Sequence, residues 1–428
     1  MSLLDAAALL LTLAALFGFI NHHVLKLPFA IGLLVGGLLA SFGVLLADSL
    51  LPTLGLAEQV RAIVMEIDFA DTVLSGMLSL LLFAGALHTD ISRLKERLAT
   101  IISLATISVV VSAFVTGMAT WSLVRLFGFE VDLVWCLAFG ALISPTDPIA
   151  VLGVMKAAKA PKQLEMKFVG ESLFNDGTGV ILFTVFTGVG LAMMRGGEDA
   201  AAEALSASAL SWLLVKEVGG GIALGLVTGY LCYRGFKTLD EPNLEILMTV
   251  ATVFVIGSMA LKFHVSGPLA AVAAGIFIGN RGRMTAMSER TAQSLDVVWT
   301  FIDEMLNAVL FLLIGLEVFA IDTRRIFLFV GLGLVPAVLL ARFLSVAIPV
   351  AALRTSRAID PGTIRMLTWG GLKGGISVAL AMKLPDFAGR ELILTATYVV
   401  VVFSIVVQGL SLGPMLRRMY PEPKVKTA

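Results

Sequence analysis

Long apolar stretches, separated by short polar segments, dominate the pattern of this chain. The apolar positions are continuous and do not alternate with a period of two, which argues against a β-barrel. Because a helix needs about 20 mostly apolar residues to cross a bilayer, the pattern predicts thirteen spanning helices. The predicted spans are 3–20, 27–47, 70–88, 99–127, 131–155, 167–194, 209–235, 244–262, 266–280, 296–320, 325–352, 364–384 and 391–416.

The segments between the spans add detail to this map. The acidic linker Asp48–Phe69 is long enough to hold a short surface helix. The Ala-rich, acidic stretch Arg195–Ser211 is typical of an external loop or a surface helix. The ninth span is short and begins with Ser266-Gly267-Pro268, which places a proline in the first turn of a helix.

Composition agrees with a membrane protein. Hydrophobic residues make up 58% of the chain and charged residues 14%, against about 25% charged in a soluble protein. The net charge is zero, so nothing indicates a nucleic-acid partner. Cys136 and Cys232 both lie in apolar runs, without metal-binding or disulfide spacing. The first twenty residues carry no basic start and resemble a first spanning helix more than a cleaved signal peptide.

The positive charges predict an orientation. Of the 31 Lys and Arg residues, 20 fall in loops on one side of the predicted membrane and nine on the other; Arg342 and Lys373 lie inside spans. Since cytoplasmic loops are enriched in Lys and Arg, we expect the N-terminus outside and the C-terminus on the cytoplasmic side. The membrane is expected to be a bacterial-type inner membrane.

The thirteen spans divide into two groups of six with a single span between them. The first span then runs inward and the eighth, after seven crossings, runs outward, so the second six would be inverted relative to the first. Inverted repeats are typical of secondary transporters. The predicted fold is therefore all-α: a polytopic membrane protein of about thirteen spans in two inverted six-helix repeats, with two interrupted helices crossing at mid-membrane.

The interruptions fall at matching places. The fifth span contains Ser144-Pro145-Thr146-Asp147-Pro148, where two prolines disrupt the helix. The fifth span of the second half contains Trp369-Gly370-Gly371-Leu372-Lys373-Gly374-Gly375, where glycines do so. Asp147 and Lys373 are placed to balance the dipoles of the half-helix ends.

Buried charges are costly in a bilayer and usually functional. The central ones are Asp147, Glu171, Asp176, Arg342 and Lys373. Three further acids, Asp303, Glu304 and Glu317, lie nearer the ends of the tenth span, where they could reach the interface or face an aqueous funnel.

The sixth span carries two carboxylates with different neighbours. Glu171 shares a helix face with Asn175, and Ser172 shares the adjacent face with Asp176. If Arg342 pairs with Glu171, Asp176 keeps no fixed counter-charge and can bind either a proton or a metal cation. Oxygen ligands suit hard cations. Thr146, Asp147, Ser172 and Asp176 would thus give an oxygen cage suited to a small monovalent cation.

These motifs, together with Leu313-Ile314-Gly315-Leu316-Glu317, resemble the NhaP-like sodium/proton exchanger branch of the monovalent cation/proton antiporters over nearly the whole chain. The resemblance implies a homodimer and elevator-type alternating access. It implies scaffold helices in 1–98, core helices in 99–195, a linker helix and more scaffold in 196–322, and core helices with a short cytoplasmic tail in 323–428.

The resemblance also implies residue roles. Asp176 would bind the ion and the proton, helped by Thr146, Asp147 and Ser172. Asn175 would be the fifth residue of the ion- and proton-binding site. It stands where the electrogenic branch has a second aspartate, which implies one proton per cation and electroneutral exchange. Glu171 and Arg342 would form a structural ion pair.

Two departures from the family pattern concern the site. Lys373 stands where the family often has Arg, so the charge is kept and the forked geometry is lost. The stretch Leu80–Leu87 of the third span contains no acid, whereas some members carry one in that span.

The motifs also bear on other functions. An intramembrane enzyme would need a zinc or nucleophile motif that the sequence lacks, so neither catalysis nor a cofactor is expected. A channel would need an open polar lining. A K⁺/H⁺ antiporter of the same fold and a sodium-coupled organic-acid symporter remain alternatives, as does transport of Li⁺.

Overall fold

The computed structural model describes residues 3–91, 98–157, 162–319, 321, 324–352 and 361–420, and all regular structure in these ranges is helical. The first ten helices of eight residues or more are α1 (Leu3–Ile20), α2 (Phe29–Leu50), α3 (Leu56–Glu66), α4 (Leu78–Leu87), α5 (Leu98–Ala105), α6 (Ile107–Leu126), α7 (Leu133–Ile143), α8 (Pro148–Ala157), α9 (Lys162–Ala204) and α10 (Ala207–Leu214).

The remaining helices run to the end of the described chain. They are α11 (Gly220–Phe236), α12 (Pro242–Phe263), α13 (Gly267–Phe277), α14 (Glu289–Leu316), α15 (Arg325–Ala352), α16 (Pro361–Trp369), α17 (Gly375–Met382), α18 (Arg390–Phe403) and α19 (Gly409–Met419). Wider π-helical turns extend several of them, for example Thr72–Met77 before α4 and Ser404–Gln408 between α18 and α19.

The predicted spans and the helices agree closely. Ten helical stretches of the described residues are long and apolar enough to cross a membrane. The fifth, ninth and twelfth predicted spans are absent from those ten because their helices are shorter. The fifth span consists of α7 and α8, the ninth of α13, and the twelfth of α16 and α17. The chain is a polytopic, all-α membrane protein, and two of its shorter spans are the ones predicted to be interrupted.

Two other local expectations can be compared with the structure. The acidic linker forms α3, an amphipathic surface helix whose only buried residue is Val64. The Ala-rich stretch after Arg195 is mainly helical, since α9 continues to Ala204 through a kink at Gly197. Gly197 has a φ of 71°, a backbone conformation that glycine adopts without strain.

Helix packing falls into two groups. In one group α7 packs against α6 and α9, α15 packs against α6 and α18, and α8 packs against α19. In the other, α13 packs against α4 and α11, and α14 packs against α2, α4 and α12. Helix α17 borders both groups, because it contacts α18 and also α14.

Candidate ion-binding site

The two interrupted spans meet through their backbones. The amide of Asp147, in the break between α7 and α8, donates a hydrogen bond of 2.7 Å to the carbonyl oxygen of Leu372, in the break between α16 and α17. The amide of Lys373 donates to Ser404 Oγ at 2.9 Å. These bonds satisfy amides that the broken helices leave without an intrahelical acceptor.

Lys373 neutralises the end of a half-helix. Its Nζ donates to the carbonyl oxygens of Ser144 and Pro145, at 3.0 and 3.2 Å, and the residue is 2% exposed. These carbonyls follow the last turn of α7, where the helix dipole places partial negative charge. A buried ammonium group there offsets that dipole, so the side chain of one break stabilises the other break.

Asp147 occupies the reciprocal position. It directly precedes Pro148, the first residue of α8, so its carboxylate lies at a half-helix N-terminus, where negative charge is favoured. Its side chain also packs on Gly374, before α17: a Cβ added at Gly374 would lie 2.6 Å from Asp147 Oδ2 and 2.8 Å from its Cβ. Glycine is therefore required at 374 for this close approach.

Glu171 and Arg342 form a fully buried ion pair. Arg342 Nη1 lies 2.5 Å from Glu171 Oε1, and the side chains are 3% and 1% exposed. Arg342 Nε donates to the carbonyl oxygen of Leu367 at 3.2 Å, which ties the pair to α16. Gly371 leaves room for the guanidinium, since a Cβ there would lie 2.5 Å from Arg342 Nε. The pair joins α9, α15 and the second break.

Thr146 is held from α9 by two side chains. The Ser172 hydroxyl donates to the Thr146 carbonyl oxygen, and Asn175 Nδ2 donates to Thr146 Oγ1 at 2.8 Å. Asn175 Oδ1 is buried and lacks a hydrogen-bond partner within the described chain. Ser172 keeps oxygen lone pairs for another ligand, because it acts as the donor in its bond.

Asp176 faces a cavity. It is 6% exposed, and it has no hydrogen-bond or ion-pair partner among the residues described. The cavity has about 120 Å³ of room for water and brings Asp176 together with Thr146, Asp147 and Ser172. The other lining residues that matter here are Leu78, Leu81, Asp303, Leu310, Gly374 and Ser377. Four of the five predicted ion-site residues thus line one cavity.

The remaining predicted residues lie behind the cavity wall. Asn175, Glu171, Arg342 and Lys373 do not line it; Asn175 reaches the site through Thr146, and Lys373 does so through the carbonyls of Ser144 and Pro145. Asp303, an acid expected either to reach the interface or to face an aqueous funnel, lines the cavity. The described residues contain no cluster of three or more His, Cys, Asp or Glu that could hold a metal ion.

Sequence reasoning missed several residues around the site. Ser404 accepts the Lys373 amide, Gln408 Nε2 donates to the Trp369 carbonyl oxygen at 2.9 Å, and Ser377 lines the cavity. The available signal was a polar residue inside an apolar run: Ser404 and Gln408 interrupt the hydrophobic thirteenth span and are 1% and 3% exposed.

The fold and the site define a class of protein: a polytopic membrane protein in which two broken spans, each carrying a charged residue, meet beside a carboxylate-lined cavity. The profile of the transmembrane sodium/hydrogen exchanger family matches residues 9–418. The chain belongs to this family.

Comparisons with individual proteins support the same family. The chain is 43% identical to the Na⁺/H⁺ antiporter NhaP of Pseudomonas aeruginosa over 98% of its length and 97% of that protein. It is 32% identical to the Na⁺/H⁺ antiporter NhaH of Halobacillus dabanensis over 92% of this chain and 93% of that one. The solved structure of the sodium proton antiporter MjNhaP1 from Methanocaldococcus jannaschii at pH 8 shares the fold, with a TM-score of 0.74 at 18% identity over 96% of this chain and all of that one.

Proposed function

We propose that the chain exchanges Na⁺ for H⁺ across a membrane, with Asp176 as the group that binds either one. One observation carries the proposal. The carboxylate of Asp176 lies buried in a cavity without a partner in the described chain, whereas Glu171, five residues earlier on α9, is neutralised by Arg342. A carboxylate so placed is stable only with a proton or a cation bound, and competition between the two is the minimal chemistry of exchange.

Sodium fits the oxygen groups around Asp176. Thr146, Asp147 and Ser172 line the same cavity and offer hydroxyl and carboxylate oxygens, the ligands preferred by hard cations. The names of the relatives in Pseudomonas and Halobacillus support Na⁺ over K⁺ or an organic acid. Li⁺ is proposed as a second substrate because it is a smaller cation of the same charge.

Electroneutral exchange is proposed from the charges of the site. Asn175 is uncharged and holds Thr146, and Lys373 is engaged with two carbonyls, so Asp176 is the group of this cavity proposed to bind a proton in exchange for the cation. One proton released for one Na⁺ bound leaves the charge of the carrier the same in both loaded states.

Alternating access is proposed to follow the boundary between the two helix groups. Thr146, Asp147, Ser172 and Asp176 belong to one group, and the facing wall, with Leu78, Leu81 and Leu310, belongs to the other. This division supports core helices in 99–195 and 323–428 that slide as an elevator against a scaffold in 1–98 and 196–322. The proposal includes a homodimer in a bacterial inner membrane, with the N-terminus outside and the C-terminus inside, as the charge asymmetry indicates.

The test is proton movement in proteoliposomes with a preset pH gradient. We expect Na⁺, and to a smaller extent Li⁺, to collapse the gradient in wild type, with the membrane potential clamped or free, and Asp176→Asn to stay at the level of protein-free liposomes. Because protons compete for the same carboxylate, half-saturating Na⁺ should rise as pH falls, by up to about tenfold per pH unit where the carboxylate is mostly protonated.

Each alternative has its own outcome. A response to K⁺ in place of Na⁺ would make the protein a K⁺/H⁺ antiporter. A dependence on membrane potential would contradict electroneutral exchange. If folded, inserted protein showed no cation-driven proton movement, antiport would be refuted, and uptake of organic acids driven by Na⁺ would be measured next.

A further inference from the structure

A second buried acid faces a second cavity. Glu317 is 2% exposed and follows α14 directly, in the short 3-10 turn Glu317–Phe319. It lines a cavity of about 250 Å³ with Asp68, Met382 and Lys383. Asp303 and Leu310 of α14 line the cavity of Asp176. The rise of a helix puts Glu317 about 21 Å along the axis from Asp303, so the two cavities lie at different depths of one helix.

The carboxylate of Glu317 has no donor or cation paired with it in the described part of the chain. Lys383 shares the cavity, but its Nζ is paired with Asp71 Oδ1 at 2.5 Å. The exposed Asp68 adds a further negative charge. The local balance is therefore negative, and a buried carboxylate in such surroundings needs a bound cation or proton.

The backbone adds to the attraction for a cation. Helix α14 has 28 residues, and Glu317 lies at its C-terminal end, where the helix dipole favours positive charge. Tyr398 Oη donates to the carbonyl oxygen of Ile314 at 2.8 Å, and Ser41 Oγ donates to that of Gly315 at 3.1 Å. These bonds fix the last turn of α14 and so fix the position of Glu317.

The cavity also has the right size and place. Because one water needs about 10–15 Å³ of space measured in this way, a volume of about 250 Å³ holds a cation together with part of its hydration shell. On one side its walls come from α3, from residues 67–70 and from Glu317, directly after α14. On the other side they come from the end of α17, with Met382 and Lys383. It therefore lies on the boundary along which the proposed function has the two helix groups move.

We propose that Glu317 forms a second binding site for a monovalent cation, on the route to Asp176 from the membrane face where Lys383 and Asp71 meet. The cation binds there partly hydrated, against the Glu317 carboxylate. The route and the choice of Na⁺ rest on the proposed function; the site itself does not.

Tl⁺, a monovalent cation with strong anomalous scattering, tests the site directly. We expect crystals of Asp176→Asn protein grown with Tl⁺ to show an anomalous peak at the Glu317 carboxylate, and crystals of Glu317→Gln protein to lack that peak while keeping one at Asp176. Glu304→Gln is the matched control, since Glu304 is an exposed acid of the same helix. A peak that persists in Glu317→Gln, or that is absent from both Asp176→Asn and wild type, would refute the second site.

Transport tests the route. In oriented proteoliposomes, Glu317→Gln should raise half-saturating Na⁺ about tenfold, the loss expected for one charged contact, only when Na⁺ is added at the Lys383 face. A purely structural role would change both faces equally, and an unchanged value at the Lys383 face would refute the route. If wild type itself exchanged no Na⁺ for H⁺, the proposed function would fail, whereas the Tl⁺ peak would still decide the second site.

Discussion

Glu171 and Asp176 lie five residues apart on α9 and differ in almost everything except charge. Glu171 is 0% exposed and lies 2.5 Å from Arg342, with a bond from Arg342 to the backbone of Leu367. Asp176 is 6% exposed, lines a cavity and has no partner in the described chain. One helix thus presents a closed ion pair and an open carboxylate.

The difference lies in what the neighbouring helices supply. Arg342 of α15 is committed to Glu171, and Lys373 is committed to the carbonyls that end α7. Both buried cations are therefore used to hold the broken spans together, and neither forms an ion pair with Asp176. A carboxylate left unpaired within a framework whose other charges are matched is what an exchanger requires, because a fixed counter-charge would compete with both substrates.

Removing the two charges should have opposite consequences. Asp176→Asn keeps the shape of the side chain and removes a buried, unpaired charge, so the unfolding temperature in detergent should stay equal or rise while Na⁺/H⁺ exchange is lost. Thermal unfolding and gradient collapse, measured on the same preparation, check this. Exchange above the level of protein-free liposomes would mean that Asp176 is not the shared site.

Glu171→Gln should chiefly lower stability. It leaves Arg342 buried without a counter-charge, and breaking one partner of a buried pair costs about 3–5 kcal/mol of unfolding free energy. The double variant Glu171→Gln/Arg342→Gln should recover part of that loss, because it removes the orphaned charge. Glu304→Gln, at an exposed position, is the control. Equal unfolding temperatures for Glu171→Gln and wild type would show that the pair is dispensable for stability.

Much of this arrangement could be predicted from the sequence, since hydrophobic length and disrupted helices are local signals. The Pro145/Pro148 and Gly370–Gly375 motifs marked both breaks, and the spacing on α9 separated the faces of Glu171 and Asp176. These inferences needed only periodicity and the cost of charge in a bilayer. The residues alone offered Arg342 as a partner for one of the two carboxylates of α9, and the family resemblance assigned it to Glu171.

Contacts between distant segments could not be predicted in this way. The pattern gave no means of knowing that Gly374 makes room for Asp147, that Lys373 reaches Ser144, or that Ser404 receives the Lys373 amide. The glycines were expected to weaken a helix; in the structure, Gly371 and Gly374 also admit side chains from α15 and from the other break. Such roles depend on differences of a few tenths of an ångström in the distances between segments that are far apart in the sequence.

Gly374→Ala should damage the open carboxylate while sparing the closed pair. The added Cβ would lie 2.6 Å from Asp147 Oδ2, so Asp147 or the break must shift. Misplacing a ligand by about 1 Å can reduce the rate by up to about 100-fold, and we expect half-saturating Na⁺ to rise about tenfold. Gly153→Ala, on the adjoining α8 with open space around it, is the control. An equal effect of the two variants would contradict a role for the Asp147–Gly374 contact.

Ser404→Ala should produce the smallest effect of these variants, and the effect should be on stability and not on Na⁺ binding. Ser404 Oγ accepts the amide of Lys373, and leaving a buried amide without an acceptor costs about 1–3 kcal/mol. We expect a lower unfolding temperature with half-saturating Na⁺ little changed, since Ser404 touches the break and does not line the cavity. Ser122→Ala is the matched control, because that hydroxyl is exposed and donates only to Met118 of its own helix. If Ser404→Ala instead weakened Na⁺ binding without lowering stability, a residue that holds the broken span would also determine ion binding. That result would contradict the division of roles between Glu171, which stabilises the fold, and Asp176, which binds the ion.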